Sequence, residues 1–489
     1  MANPYLGFRT YKESDSELFK GREEDIRNIY DYITNNGVTI LYANSGIGKS
    51  SIINAGLCPV LRSNNFFPIY IRCNDYSSTA NFEKLLLYIL SSSEKLTKLW
   101  HESVDSPVFL GEVTCDYNRE EQSSNNDGNK ETKVEFKVRS IYVEKTGSMF
   151  CQLDKKLSQT SLWWFLRTRE IYFEVAPGIE AVFTPLLIFD QFEEFFDKAS
   201  SFDVAGEFFK WFNRVFSQIT PPDVQNAYNE ISKNYTQGQK FILDFDLKCK
   251  SLFSLRQEYI GQMDYWVYQN SDTRNTSFLY NRYLLRPLQK EQAEQVIGLS
   301  DKLQSKKETI LNYIGTKEHD GYPAIILSVI CDELLGEENA FKTLLNGGNV
   351  EDILSLAYER TIKKTSLTSK EVEDLEKKLV DKNSKRIRRR KTDFYFITDE
   401  KLKELLYYHI LTTVGEEFYE LIHDKIAEVV AEKKLHSKRR EKNRRRRENE
   451  LNVLVAKGRD LVDNSLGVGS NSTITSNPYQ IDVIDYYIQ

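Results

Sequence analysis

In REEDIRNIYDYITN (22–35) the apolar residues Ile26, Ile29, Tyr30 and Ile33 recur at helical spacing, which predicts a helix with one buried face. The next run, GVTILY (37–42), is short, unbroken and β-rich, like a strand covered on both faces in a parallel sheet. Helical spacing returns in KSSIINAGLCPVL (49–61), a second buried strand is predicted at FFPIYIRC (66–73), and an amphipathic helix at NFEKLLLYILSSS (81–93). Strand, loop, helix, strand and helix in this order are the signature of a doubly wound α/β domain.

Residues 97–160 interrupt the pattern. DYNREEQSSNNDGNKET (116–132) is polar and aperiodic and predicts a loop, whereas Val134, Phe136 and Val138 alternate as in one strand of an inserted hairpin. Buried strands are expected again at PLLIFD (185–190) and KCKSLFSLR (248–256), with a helix at GEFFKWFNRVFSQI (206–219) between them. Beyond about residue 284 strands become scarce. QKEQAEQVIGLSDKLQ, PAIILSVICDELLG, NVEDILSLAYERTIKK and DEKLKELLYYHILTTV are each expected to be helical, and EEFYELIHD (416–424) a short strand ending in a turn. Helices followed by a hairpin suit a winged helix. The expected organisation is a parallel-sheet α/β nucleotide-binding domain over 1–283, a helical domain over 284–348, a winged-helix domain over 349–432, and a basic helix with a tail or linker over 433–489.

Composition adds limits. A chain of 489 residues is too long for one core. With 40% hydrophobic residues, 28 Tyr and 28 Phe it reads as globular, and its net charge of −6 excludes a uniformly basic surface. The six cysteines (58, 73, 115, 151, 249 and 331) form no CxxC pair, which argues against zinc and for reduced thiols. No segment reaches the roughly 18 apolar residues that span a bilayer, and no apolar leader opens the chain. A cytoplasmic protein without membrane association is expected.

The chemistry centres on ANSGIGKS (43–50). It matches the phosphate-loop pattern G-x-x-x-x-G-K-[ST] except at Ala43, and it lies between a strand and a helix as that pattern requires. An alanine forced to positive φ there would cost about 1–2 kcal/mol, and far less at negative φ. In such a loop the backbone of Asn44, Ser45, Gly46, Ile47 and Gly48, and of Ser51 beyond it, surrounds the phosphates at a helix N-terminus. Lys49 bridges the β- and γ-phosphates and Ser50 ligates Mg²⁺. A second acidic strand should complete the site. PLLIFDQFEEFF offers Asp190 for Mg²⁺, and Glu194 or Glu193 to polarise the attacking water, with Glu194 favoured. Arg256, at the end of SLFSLR, is a candidate sensor of the γ-phosphate.

Five blocks in order, NPYLGFRTYKESDSELFKGREEDI, SGIGKSSIINAGLCPVL, SLWWFLRTREI, PLLIFDQFEEFF and RYLLRPLQKEQAEQVI, resemble the bacterial novel STAND NTPases, relatives of NACHT and NB-ARC proteins, over about residues 3–435. The resemblance implies an ATP/ADP switch with Mg²⁺ that oligomerises on activation, in signalling that includes anti-phage defence, with slow hydrolysis as the reset. It implies that Gly21 and Arg22 line the adenine and ribose side and that Pro323, in GYPAIIL, packs on the adenine. It further implies that His423, in ELIHDKIAEV, bonds the β-phosphate of ADP, with Asp424 bracing the turn. Members of the group usually carry sensor repeats and an effector, so a sensor or effector is expected either as a separate protein or in further sequence.

Two basic runs stand apart: KRIRRRK (385–391), and KKLHSKRREKNRRRR (433–447), where ten of fifteen residues are Lys or Arg. Nucleic acid, a protein partner and plain solvation are the three readings weighed for them. No aromatic residue interleaves the second run, unlike typical single-strand binders. The rival function is accordingly a DNA-binding regulator in which an ATPase domain serves a winged helix.

Overall fold

The computed structural model describes residues 3–44, 46–72, 79–102, 108–109, 135–142, 148–198, 202–269, 277–315, 321–336, 350–381, 384–408, 410–414, 418–421 and 424–466. The polar run 116–132 lies outside these residues. They form two compact units, Met1–Val429 and Val430–Gln489.

The first unit is built on a mixed sheet. Its strands are β1 (Val38–Ala43), β2 (Phe66–Arg72), β3 (Val108–Phe109), β4 (Lys137–Ser140), β5 (Arg169–Ala176), β6 (Ile179–Asp190), β7 (Lys250–Arg256) and β8 (Arg282–Leu284). Six of them run parallel in the order β3-β2-β6-β7-β1-β8. β4 and β5 add an antiparallel extension onto the first half of β6. β6 is therefore twice the length of the run expected at 185–190. Its C-terminal half is buried on both faces and announces itself as an apolar run. Its N-terminal half is largely exposed and folds back on β5 through a turn in which Gly178 takes φ +76° and donates to Glu174 Oε1 at 2.9 Å.

Helices cover both faces, as buried parallel strands require. On one face Ile29 and Ile33 of helix Glu23–Asn35 join Ile53, Leu57 and Leu61 over Leu41, Leu186, Ile188 and Leu252. On the other, helices Thr79–Ser91, Leu162–Thr168 and Phe202–Phe216 press Phe82, Phe165, Phe208 and Phe212 onto Ile69, Phe189 and Phe253. Phe189 and Phe253 stack with ring centroids 4.5 Å apart, clamping β6 beside β7 just below their functional tips. Arg167 is buried and donates to the carbonyls of Trp163, Val215 and Ser217, and burial lowers its pKa to about 10.

After β8 the chain is helical, with its own core of Ile297, Leu311, Leu327 and Ile330. QKEQAEQVIGLSDKLQ, expected as one helix, is broken at Gly298 into Lys290–Ile297 and Asp301–Gln304. A three-stranded antiparallel sheet follows, β10 (Leu411–Val414) to β11 (Phe418–Leu421) to β9 (Arg389–Arg390). DEKLKELLYYHILTTV was expected to be wholly helical, but helix Asp399–Tyr407 stops and the β-branched end of the stretch becomes β10. β9 lies inside the basic run KRIRRRK, which sequence patterning does not mark as a strand.

Helix Asp424–Leu466 carries the second basic run into the second unit. There Arg444 pairs with Glu448 at 3.5 Å and Arg446 with Glu450 at 3.0 Å. Among the described residues no helix is long and apolar enough to cross a membrane.

Candidate functional site

The loop after β1 turns on two glycines. Gly46 has φ +81° and Gly48 φ +103°, conformations that cost a residue with a Cβ about 1–2 kcal/mol. Ala43 needs no such freedom. It is the last residue of β1, fully buried and in register with Arg256, and the non-glycine residues described at positive φ are Asn65, Gln191 and Ser384. Its carbonyl accepts from Lys49 Nζ at 3.2 Å, which folds the lysine back over the loop. A continuous helical run then extends from Lys49 to Ser63, with a π-helical segment at Ile52–Leu57, and its first N–H groups face the loop.

The parallel register brings the acidic cluster to the same edge. Asp190 ends β6, fully buried, and its Oδ2 accepts from the Ser50 hydroxyl at 2.8 Å and also from the Tyr70 hydroxyl on β2. Gln191 takes φ +55°, uncommon for a side chain with a Cβ, and turns the chain so that Glu193 comes back beneath the loop. Glu193 is 5% exposed and is held by Arg256 at the tip of β7. Burial raises the Glu193 pKa, opposed by the charges of Lys49 and Arg256, while burial lowers that of Lys49 against the pull of Glu193 and Asp190. Ser50 and Asp190 are two hard oxygen donors in mutual contact at the loop's end, a donor set that fits Mg²⁺.

Lys49, Ser50, Glu193 and Arg256 open onto one cavity, of about 140 Å³. Its lining includes Gly46, Ile47, Gly48, Lys49, Ser50, Ser51, Gln191, Glu193 and Arg256. The lining also includes the apolar side chains of Phe8, Leu18, Phe19, Leu288, Val296 and Ile325. The N-terminal segment straps across it, with the Tyr11 N–H donating to Ser51 Oγ at 3.3 Å. Arg22 lines the cavity and braces it: its guanidinium donates to the carbonyls of Ile47 at 3.0 Å and Arg286 at 2.8 Å, and pairs with Asp25 at 2.9 Å.

Other expected site residues stand further off. Gly21, at φ +80°, is buried and outside the lining, and a Cβ there would come within 2.6 Å of the Gln292 carbonyl. Asn44 is exposed outside the lining. Pro323 starts the turn into helix Ala324–Gly336, and its neighbours Ala324 and Ile325 line the cavity in its place. Glu194 is outside the lining and pairs with Arg388 at 2.9 Å. Ser45 and His423 lie outside the described residues.

Sequence reading missed Tyr70, Gln191, the strap Phe8–Tyr11, Arg386 and Arg388. Tyr70 alone had a readable signal, a hydroxyl near the end of an otherwise apolar strand. KRIRRRK also proves to be spent largely within the fold: Arg386 and Arg388 pair with Glu420, Arg389 donates to the Lys378 carbonyl at 3.0 Å, and Lys391 meets Asp399 at 2.8 Å.

A protein-family model described as Novel STAND NTPase 1 matches residues 4–301. No curated protein matches the chain. Among solved structures, similarity extends to a Walker-type ATPase of Pyrococcus abyssi (15% identity, TM-score 0.35, 86% of this chain and 98% of that one). It extends also to the ORC2 protein of Aeropyrum pernix in ADPNP–ADP complexes (12%, 0.30, 84% and 92%) and to the Drosophila ORC bound to DNA (11%, 0.29, 83% and 93%).

Proposed function

The chain belongs to the novel STAND NTPase 1 family, and from that premise we propose that it is a slow ATPase working as an ATP/ADP switch. The observation that carries this reading is the convergence of Lys49, Ser50, Glu193 and Arg256 on one cavity, with Asp190 bonded to Ser50 behind them. Phosphates lie against the Gly46–Ser51 backbone and Lys49, and the base lies toward Phe8, Phe19 and Ile325. Ser50 and Asp190 would hold Mg²⁺, which would supply positive charge against the phosphate oxygens. Glu193 takes a proton from the attacking water as the water oxygen bonds to the γ-phosphorus and the bond to ADP breaks. We assign this role to Glu193 rather than Glu194 because Glu193 lines the cavity. Arg256 and Lys49 offset the charge that develops on the phosphoryl oxygens.

We read helices Ser369–Leu379 and Asp399–Tyr407 with the β10-β11-β9 sheet as a winged helix. It closes over ADP at rest. Exchange for ATP opens it and exposes surfaces for self-association, and hydrolysis restores the closed form. Bacterial conflict defence is the setting that the sequence resemblance suggests. Nucleotide extracted from the purified protein, and particle mass in ADP against a non-hydrolysable ATP analogue, test the reading. Bound nucleotide and a larger particle with the analogue are expected. Absence of any nucleotide binding would remove the whole reading, and equal masses would remove the switch while leaving the ATPase.

A further inference from the structure

The cavity has a lining residue from far outside the nucleotide-binding blocks. Arg386, in the first basic run, lines the same cavity as Gly48, Lys49, Glu193 and Arg256. Its backbone is fixed by a tight antiparallel turn: Arg386 bridges to Val380, Asp381 N–H donates to the Lys385 carbonyl at 2.9 Å, and Ile387 N–H donates to the Leu379 carbonyl at 2.6 Å. Its side chain is 12% exposed, with Nη1 3.0 Å from Glu420 Oε1 on β11 and 3.3 Å from the Leu421 carbonyl.

Glu420 also meets Arg388 at 3.4 Å, and Arg388 reaches Glu194 at 2.9 Å. The four side chains form an alternating row, Arg386–Glu420–Arg388–Glu194, each between 6% and 16% exposed. One end of the row touches the cavity. The other is fastened to the acidic turn after β6, one residue beyond the cavity-facing Glu193. Removing any one member of the row would leave a partly buried charge without its partner, which is costly.

We propose that Arg386 is a phosphate ligand supplied to the nucleotide site by the C-terminal part of the first unit. In this assignment the Glu420–Arg388–Glu194 row is the strut that sets its position. A guanidinium presents planar N–H donors that match phosphate oxygens, and within a half-buried cavity such a contact is strong. Bound nucleoside di- or triphosphate then ties this segment to the phosphate loop, so the nucleotide itself holds the two parts together. Arg386 is a binding residue; Glu420, Arg388 and Glu194 are positioning residues. The inference rests on the nucleotide-binding reading above.

The test is fluorescence titration of the full chain with ADP, and with a non-hydrolysable ATP analogue and Mg²⁺. The variants are Arg386→Gln, Arg386→Lys, Arg389→Gln, Glu194→Gln, Arg386→Gln combined with Glu194→Gln, and Lys49→Ala. Arg386→Gln should weaken binding by roughly tenfold or more, the size of a lost charge-assisted contact, and Arg386→Lys should restore part of the loss. Arg389→Gln, whose side chain meets the Lys378 carbonyl, should leave affinity unchanged. Glu194→Gln should weaken binding in the wild type but add nothing once Arg386 is Gln. Unchanged affinity in both Arg386 variants overturns the assignment, and additive losses in the double variant overturn the strut. If Arg386→Gln does not fold, the lysine variant carries the decision, with wild-type affinity overturning the assignment. Full binding by Lys49→Ala would instead indict the nucleotide reading itself, so the two failures are distinct.

Discussion

Arg256 holds Glu193 at two points: its backbone N–H donates to Oε2 and its guanidinium Nε to Oε1, both at 3.2 Å. The glutamate is thus aimed by the tip of β7 although it belongs to the turn after β6. Replacing Glu193 by Gln keeps the shape and removes the proposed base, so hydrolysis should fall by about a hundredfold or more while nucleotide affinity stays nearly constant. Single-turnover hydrolysis alongside a binding titration checks this. An equal loss in both would mean that Glu193 acts in binding.

The same residue fixes a pH dependence. Burial raises its pKa above the ordinary value of 4.5, while Lys49 and Arg256 oppose the rise. The base must be ionised, so activity should fall as the pH drops through that raised value, and the acid limb should lie above that of an exposed carboxylate. Arg256→Gln removes one opposing cation and should move the limb to still higher pH. The linkage to stability has the opposite sense: a carboxyl whose folded pKa is raised contributes stability below its unfolded pKa and loses it as the pH rises through the folded one. Glu193→Gln should flatten that part of the stability profile, which pH-resolved thermal unfolding would reveal.

Tyr70 and Ser50 both donate to Asp190 Oδ2. Ser50 is the metal-ligating candidate, so Tyr70 acts by orienting the carboxylate from behind. Tyr70→Phe should raise the Mg²⁺ concentration needed for half-maximal hydrolysis by roughly tenfold, as losses of such supporting bonds do, with little effect on activity at saturating Mg²⁺. A Mg²⁺ titration of the hydrolysis rate decides it, and an unchanged midpoint would assign Tyr70 to the core alone.

Gly21, expected beside the adenine, occupies a sterically closed place in the fold. Positive φ there costs an alanine about 1–2 kcal/mol, and the added Cβ would drive into the Gln292 carbonyl, 2.6 Å away. Gly21→Ala should destabilise the chain by about 2–4 kcal/mol. Gly238→Ala, with no atom within 4 Å of its Cβ, should be neutral or slightly stabilising. Chemical unfolding of the two variants tests the contrast.

What was legible in the sequence follows a physical rule. β1, β2, β7 and the end of β6 are buried on both faces and write themselves as apolar runs, and the residues at their C-terminal tips could be named because parallel strands deliver them to one edge. β5, β8 and β9 could not be read, since they are short or half-exposed and owe their conformation to neighbours. Arg386 and Arg388 were hidden for another reason. A basic run looks the same whether it faces solvent or a buried carboxylate, and Glu420 and Glu194, which decide the matter, are distant in sequence.

Ala43 was the one departure from the phosphate-loop pattern, and its position at the end of β1 predicts what restoring glycine would do. The turn is made by Gly46 and Gly48, whereas Ala43 sits in strand register with Arg256 and is fully buried in the core. A glycine there gains no conformation that the loop uses. It would add backbone freedom to the unfolded chain, at about 0.5–1 kcal/mol, and give up a buried methyl group worth about 0.8 kcal/mol. Ala43→Gly should therefore lower stability by about 1–2 kcal/mol and leave nucleotide affinity within roughly twofold of wild type. Thermal unfolding and a nucleotide titration on the same preparation separate the two effects. A clear gain in affinity would show that the alanine restrains the loop.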